Sequence, residues 1–447
     1  MKRIAYAPGD ERIVATWRKI LICILITLVG INLRSIILGV PPILPLISHA
    51  LSLSYTETGL LTAVPTLVLG LTAWPAGMLS DRIGPRSCVT LGLLLLAAGA
   101  ILRAAWANPL ALFLFTIMLS VGIALSQTAV PILARRWFPS SIGLVSALFS
   151  DGLIIGETIA AGLTVPIMLA FLGKDAWAAS FVFWGAPIVV LLVLWLLLTP
   201  QTAPTSPQSG RDRDAANTEP TAAMTVAATP IETPMPVPVE TGKVAKGKKP
   251  GVNAWHLGIM IGANSLIYFN LNGWIAPYNQ ALHHSSLTPL ALAVLNAAQL
   301  PASLAVTVVA QRLAGRRWPF ISAGIICAIS IAFLVFGPPM LEALWAGLCG
   351  ASTATVFTLG IALPPLLAEP DQVARLTGQT VSLTYIIAFI GPYLGGQLWD
   401  LFHLPPLAFF PVAIAALVMI ALGSMLPSRA SFGLQAVPST KGGHDVA

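Results

Sequence analysis

Long apolar segments recur along the whole 447-residue chain and constrain its fold more than any other feature. Each holds about 20 residues, enough for an α-helix to cross the hydrocarbon core of a bilayer. Only 9% of the residues are charged and the mean hydropathy is +0.83, whereas a soluble domain carries roughly 25% charged residues. We therefore predict an all-α membrane protein with twelve transmembrane helices. The predicted spans are 18–47, 57–79, 87–106, 109–133, 140–171, 177–199, 253–277, 288–310, 319–337, 341–367, 377–399 and 406–426.

Basic residues are distributed unevenly between the two sides of these spans. Of the 24 Lys and Arg residues, we assign Arg103 and Lys174 to odd-numbered loops, Arg34 to a span, and the others to the chain ends and even-numbered loops. Short loops rich in Lys and Arg stay in the cytoplasm. We therefore expect both termini to be cytoplasmic, in the inner membrane of a bacterium. The net charge of +7 follows from this topology, so we expect no nucleic-acid partner.

Residues 200–252 are rich in Pro, Thr and Ala and contain few large apolar side chains. Such a segment cannot bury enough apolar surface to fold, which predicts a disordered cytoplasmic linker. The linker separates a six-helix bundle at 1–199 from a second at 253–427, and residues 428–447 form a cytoplasmic tail.

A faint repeat relates the two bundles. GMLSDRIGPR (77–86) follows the second span and VAQRLAGRR (309–317) follows the eighth. In the direct alignment, Arg86 matches Arg316. Duplicated six-helix bundles with a site between them are a common transporter architecture.

The loop after the second span resembles the signature of the major facilitator superfamily in six residues, which are Gly77, Leu79, Asp81, Arg82, Gly84 and Arg86. The resemblance implies two pseudo-symmetric six-helix bundles, transport by alternating access, and a loop that closes the cytoplasmic side. We expect Gly77 to permit close helix approach and Gly84 to permit a tight turn. We expect Asp81 to pair with a helix N-terminus or with an arginine after the fourth span. The alternative is that this basic loop only anchors the topology of the chain. The predicted cytoplasmic gate comprises Gly77, Asp81, Arg82, Gly84, Arg86, Arg135 and Arg136.

Three other segments are similar to the branch of that family containing cyanate permease and 2-nitroimidazole transporters. They are NLRSIILGVPPILP (32–45), SLIYFNLNGWIAP (265–277) and IIAFIGPYLGGQLWD (386–400). This similarity implies a small anionic or polar planar solute. The fifth span departs from the branch, because SDGLIIGE (150–157) carries two acids.

Arg34, Asp151 and Glu157 are the ionisable residues that we place deep within predicted spans. Each costs roughly 2.5–3.5 kcal/mol on insertion scales, so it should face protein or a wet cavity. The two acids lie six residues apart, about 240° around a helix, which predicts that they point in different directions. We hypothesise that one acid is protonated at rest and couples transport to protons. The alternative is a permanent structural ion pair between Arg34 and one acid.

Polar residues also recur at helical spacing on the seventh and eighth spans. Asn264, Tyr268 and Asn272 share one face, as do Asn296, Gln299 and Ser303. We interpret these stripes as the walls of a central cavity, although hydrogen bonding between helices is the alternative. The predicted substrate-binding residues are Arg34, Asn32, Gln127, Tyr268, Asn272, Asn264 and Gln379.

The sequence contains no Walker loop and no histidine spacing typical of a metal site. We therefore expect no cofactor and no enzymatic activity. The predicted function is secondary active or facilitative transport by a monomer, with a small-molecule substrate and the lipid bilayer as partners. The alternative is a transporter-derived sensor that binds solute without net flux.

Overall fold

The computed structural model describes residues 8–106, 108–139, 141–173, 176–200, 254–313, 316–361, 363 and 373–426. Over these residues the chain is helical and contains no strand. The predicted linker (apart from Pro200), the predicted tail and the end of the predicted tenth span lie outside the described residues.

Seven helices form the first half of the described chain. They are α1 (Pro8–Leu38), α2 (Leu44–Ala50), α3 (Tyr55–Ile83), α4 (Pro85–Ala105), α5 (Pro109–Trp137), α6 (Ile142–Ile167) and α7 (Trp177–Leu198). A short 3-10 turn at Pro41–Ile43 joins α1 to α2. The break falls there because proline has no backbone N–H to donate within a helix.

Seven further helices form the second half. They are α8 (Ala254–Ala281), α9 (Thr288–Ala297), α10 (Gln299–Leu313), α11 (Trp318–Phe336), α12 (Glu342–Ile361), α13 (Val373–Phe402) and α14 (Phe410–Met425). The eighth span is divided at Ala298 into α9 and α10.

Eleven segments of the described chain are long and apolar enough to cross a membrane, with α1–α2 and α9–α10 each counting as one. The remaining helix, α8, has 28 residues and is also long enough, since a helix rises about 1.5 Å per residue. Its buried asparagines lower its hydropathy. Together they account for the twelve predicted spans of an all-α membrane protein.

The two halves meet tightly at the end of the bundle that contains the α1–α2 turn, which we call the distal end. The Asp400 carboxylate on α13 accepts hydrogen bonds from the backbone N–H groups of Tyr55 (3.0 Å) and Thr56 (2.6 Å) at the start of α3. It also accepts one from the Thr56 hydroxyl. A side chain at Gly396 would place its Cβ 2.3 Å from the Tyr55 carbonyl oxygen. A carboxylate at a helix N-terminus is favourable, so Asp400 fastens one half to the other.

The opposite end, which contains the α3–α4 turn, is called the terminal end. Asp81, Arg82, Arg135 and Arg136 are exposed there, and the described residues contain no ion pair between Asp81 and either arginine. A Cβ at Gly77 would meet its nearest neighbour at 3.9 Å, which is ordinary contact. The expected pairing of Asp81 with an arginine is therefore absent from the described part of the chain. The expected close approach at Gly77 is absent as well, because its nearest neighbour, Thr128 on α5, leaves room for a side chain.

Arg86 binds within its own half rather than across the gate. Its guanidinium donates to the Thr199 hydroxyl (2.9 Å) and to the Leu196 carbonyl (3.1 Å) at the end of α7. In the second half, Arg317 donates to the Leu426 carbonyl at the end of α14. The structural counterpart of Arg86 is therefore Arg317 and not Arg316. Gly84 has φ +85°, which a glycine adopts without strain, and it forms the predicted turn.

We expect Asp400→Asn to weaken distal closure. The substitution removes the charge from three hydrogen bonds between the halves, so the ratio of distal-closed to distal-open molecules should fall about fivefold, or about 1 kcal/mol. Distances between one spin label on each half at the distal end would measure the ratio. Glu57→Gln is the matched control, because Glu57 caps α3 within its own half. An unchanged distance distribution in Asp400→Asn would contradict the assignment.

Candidate functional site

A cavity of about 280 Å³ lies between the two halves. Its walls come from α1, α3, α5 and α6 on one side and from α8, α10, α12 and α13 on the other. From Arg34, the lining continues along Ser146 on α6 and Thr307 on α10. Both positions lie towards the terminal end, so the cavity opens there and is closed at the distal end.

Arg34 and Glu157 form an ion pair at the closed end of this cavity. The distance from Arg34 Nε to Glu157 Oε1 is 3.3 Å, and the two side chains are 11% and 6% exposed. The Tyr385 hydroxyl on α13 also lies close to the guanidinium. Within the described residues, this is the one ion pair.

Glycines on α6 bring the two charges together. A Cβ at Gly152 would lie 2.5 Å from the Thr27 carbonyl oxygen, and one at Gly156 would lie 2.2 Å from that of Ile31. Since no side chain fits at either position, α1 and α6 pack backbone against backbone, as small residues four apart allow in membranes. The close packing places Arg34 of α1 opposite Glu157 of α6.

The second oxygen of Glu157 leads into a polar network in the other half. Gln299 Nε2 donates to Glu157 Oε2 at 3.3 Å. Asn296 Oδ1 accepts from the Tyr268 hydroxyl at 2.6 Å, and Asn296 Nδ2 donates to Asn272 Oδ1 at 2.9 Å. Gln299 also approaches Asn296 Oδ1 at 3.5 Å. The network therefore ties the charge on α6 to α8, α9 and α10.

Asp151 lines the same cavity as Glu157. Both acids therefore face one cavity although they lie about 240° apart around the helix, because the cavity is wide enough to reach two sides of α6. Asp151 is half-buried and has no hydrogen bond or ion pair to the described residues. Arg34 Nη1 is buried and has no hydrogen-bond partner there either. The cavity thus presents one unpaired carboxylate and one guanidinium edge that can still donate.

The predicted binding residues divide into two groups. Gln127, Asn264 and Tyr268 line the cavity together with Arg34. The buried Oδ1 atom of Asn264 and the Oε1 atom of Gln127 have no partner among the described residues. These atoms can therefore accept hydrogen bonds from a bound solute.

Three predicted residues lie outside this cavity. Asn32 donates to the Leu28 carbonyl of its own helix at 2.8 Å. Asn272 is occupied by Asn296 and lines a second, smaller cavity. Gln379 is exposed on α13, since the face of that helix towards the cavity is formed by other residues. Those are Thr377, Thr380, Val381, Thr384 and Tyr385.

The threonine stripe and Arg103 were missed by the sequence analysis. Thr377, Thr380 and Thr384 follow helical spacing, and that pattern could have revealed the stripe. Arg103, assigned to a loop, instead lies within α4 and is 2% exposed. It stands near the end of an apolar segment, where sequence alone does not distinguish a buried arginine from a loop residue.

Residues 20–392 match the family model described as Major Facilitator Superfamily. The chain belongs to the major facilitator superfamily. Membership of this family makes it a membrane transport protein. Its all-helical architecture is one form of the major facilitator fold, with Arg34 and Glu157 between the halves.

Curated relatives place the chain in the cyanate and 2-nitroimidazole branch. It is 25% identical to the cyanate transport protein of Escherichia coli strain K12, covering 89% of this chain and 96% of that one. It is 27% identical to the 2-nitroimidazole transporter of the same organism, covering 89% and 93%. An uncharacterized transporter of Bacillus subtilis strain 168 is 26% identical, covering 93% and 94%.

Solved structures share the fold at lower identity. An inward-facing, unoccupied bacterial homologue of the human lysosomal transporter Spinster has a TM-score of 0.66 at 15% identity, covering 92% of this chain and 95% of that one. A D-xylose–proton symporter also has a TM-score of 0.66, at 13% identity, covering 92% and 99%.

The ion pair predicts an asymmetric pattern of stability. Glu157→Gln should cost about 2 kcal/mol, because it leaves a buried guanidinium that cannot deprotonate. Arg34→Gln should cost less, since Glu157 can become neutral by taking a proton. Thermal unfolding of detergent-purified protein would measure both.

The double substitution Arg34→Gln with Glu157→Gln should recover at least half of the loss seen in Glu157→Gln. Asp151→Asn is the control, because Asp151 has no partner to lose, and its stability should match wild type. Equal stability of all four variants would show that the pair does not contribute to folding.

Proposed function

We propose that this protein transports a small anionic or polar planar solute, of the cyanate or nitroimidazole kind, by alternating access. The observation that carries the proposal is Arg34, a buried arginine in a cavity shared by both halves. Two relatives named for cyanate transport and 2-nitroimidazole transport favour the same solute class.

The donors and acceptors of the cavity suit such a solute. Arg34 Nη1 has no partner among the described residues, and a guanidinium edge binds planar anions through parallel N–H donors. Tyr385 and Phe269 also line the cavity and offer flat surfaces. The volume of about 280 Å³ is near the lower end of the range for small-molecule sites, which favours a compact solute.

The two ends of the bundle supply the alternating gates. A solute would reach Arg34 from the terminal end, where the cavity opens, while the Asp400 contacts keep the distal end closed. Rocking of the halves would release Asp400 and bring the Asp81 loop into contact at the terminal end. Two bodies would move within a monomer, the six-helix bundle at 1–199 and the one at 253–427, which residues 200–252 join.

The membrane orientation belongs to the same proposal. The terminal end carries Arg82, Arg86, Arg135 and Arg136, and basic loops favour the cytoplasmic side. The terminal end is therefore cytoplasmic and the distal end faces outward, in the inner membrane of a bacterium.

We extend the proposal to proton coupling, because a bound anion and Glu157 would share the charge of Arg34. An anion bound at the free Nη1 edge would share the charge of Arg34 with Glu157, and the buried Glu157 would then keep only part of its counter-charge. A buried carboxylate in that position becomes neutral by binding a proton. The anion and the proton would therefore move together, with Glu157 as the proton carrier. Asp151 has no ion-pair partner among the described residues. An anion bound at Arg34 would therefore change the surroundings of Asp151 less than those of Glu157.

Counterflow in proteoliposomes tests the solute class. We expect wild type to exchange small planar anions, and Arg34→Gln to lose at least tenfold of that flux because the anion loses its cationic partner. Gln379→Ala should retain wild-type flux, because Gln379 lies outside the cavity. Full anion flux in Arg34→Gln would reject the role of Arg34.

The same experiment addresses the sensor alternative. Saturable binding of the anion without any counterflow in wild type would indicate a receptor. The absence of both binding and flux for anions and for neutral imidazoles would reject the proposed solute class.

The pH dependence of uptake distinguishes the two acids. Wild-type uptake should rise as external pH falls, because the anion enters with a proton. Glu157→Gln should abolish this dependence, whereas Asp151→Asn should retain it. Initial rates would be normalised to the amount of monodisperse protein, since Glu157→Gln is expected to be less stable. A wild-type pH profile in Glu157→Gln would exclude it as the proton carrier.

A further inference from the structure

Arg103 is a second buried cation, and it lies outside the central cavity. It stands near the distal end of α4 and is 2% exposed. Its guanidinium carbon lies 3.8 Å from the centre of the Phe181 ring on α7. This stacking fixes the plane of the guanidinium but supplies no counter-charge, and no carboxylate of the described chain forms an ion pair with it.

Two of its nitrogens have no acceptor among the residues that the structure describes. Arg103 Nε and Nη2 are buried without a hydrogen-bond partner in the described part of the protein. The buried Thr116 hydroxyl on α5 is likewise without a partner. A buried donor left unsatisfied is costly, and a buried charge without a partner more so.

These donors surround a small cavity. Arg103 and Thr116 both line a void of about 20 Å³, and Asn272 on α8 forms part of the same wall. A void of this size holds about one water-sized particle. A water would satisfy donors but leave the positive charge uncompensated, whereas a monovalent anion would do both.

We propose that Arg103 and Thr116 bind a single chloride-sized monovalent anion in this cavity. The guanidinium and the hydroxyl donate to it, and Asn272 has one further amide hydrogen available. The site is separate from the Arg34 cavity and does not depend on which solute is transported.

The location gives the anion a structural role in the transport cycle. Pro41 belongs to the first half, while Asn272 and Gly273 belong to the second, and all three line the void. A bound anion therefore contacts both halves at the distal end and stabilises the distal-closed arrangement. Asn272 also accepts from Asn296, so the site joins the network that reaches Glu157.

Thermal unfolding in chloride and in gluconate, at equal ionic strength, tests the proposal. Chloride fits the void and gluconate does not, so wild type should unfold at a higher temperature in chloride, with saturation on titration. Arg103→Met should lose the difference between the two salts. Thr116→Val, which keeps the shape of threonine, should require several-fold more chloride for half of the effect. Arg34→Gln is the matched control and should retain the wild-type response.

Bromide provides an independent readout. Crystals of the full chain grown in bromide should show one anomalous peak between Arg103 and Thr116, and Arg103→Met crystals should lack it. Equal unfolding temperatures in both salts together with no peak would mean that water fills the void, and would overturn the proposal. Loss of the chloride response in Arg34→Gln but not in Arg103→Met would assign the anion to the central cavity and would also overturn it. A response to the transported anion alone, without one to halide, would contradict a chloride-sized site.

Discussion

The pairing of Arg34 with Glu157 is the interaction on which the centre of this protein depends. The guanidinium of Arg34 cannot lose its charge to escape an apolar environment, and the carboxylate of Glu157 is held beside it with some accuracy. The backbone contact of α1 with Gly152 and Gly156 provides that accuracy. Because the same carboxylate also accepts from Gln299 in the other half, the charge balance within one half is linked to the position of the second.

The two ends of the bundle use charge in different ways. At the distal end, Asp400 is bound to the start of a helix in the opposite half, so this contact must break whenever the halves separate. Arg86 and Arg317 instead bind the last carbonyls of the sixth and twelfth spans, each within its own half. Contacts across the halves are thus suited to switching, and contacts within a half keep its outer helices in place during the switch.

The fold could be predicted from the sequence, because each span is an apolar segment and the family signature begins at Gly77. The candidate site could be predicted only in part. The cost of a buried charge singled out Arg34, Asp151 and Glu157, but spacing alone could not tell which acid is paired, since that depends on how closely α1 approaches α6. Gln379 was misplaced because the rotation of α13 is set by packing against α3 and α8. Arg103 was missed because its partner is the ring of Phe181, which lies far along the chain.

The asparagines of α8 have a consequence for how the protein is made. Asn264 donates to the Thr353 carbonyl, Asn270 to that of Ala408, and Asn279 to Glu342, while Asn272 bonds Asn296. All of these partners are synthesised after α8 itself. A helix that must hide several side-chain amides partitions poorly into lipid on its own. As the nascent chain leaves the ribosome, α8 should therefore remain at the insertion machinery until its partners emerge, so that the second half enters the bilayer as an assembled group and not helix by helix.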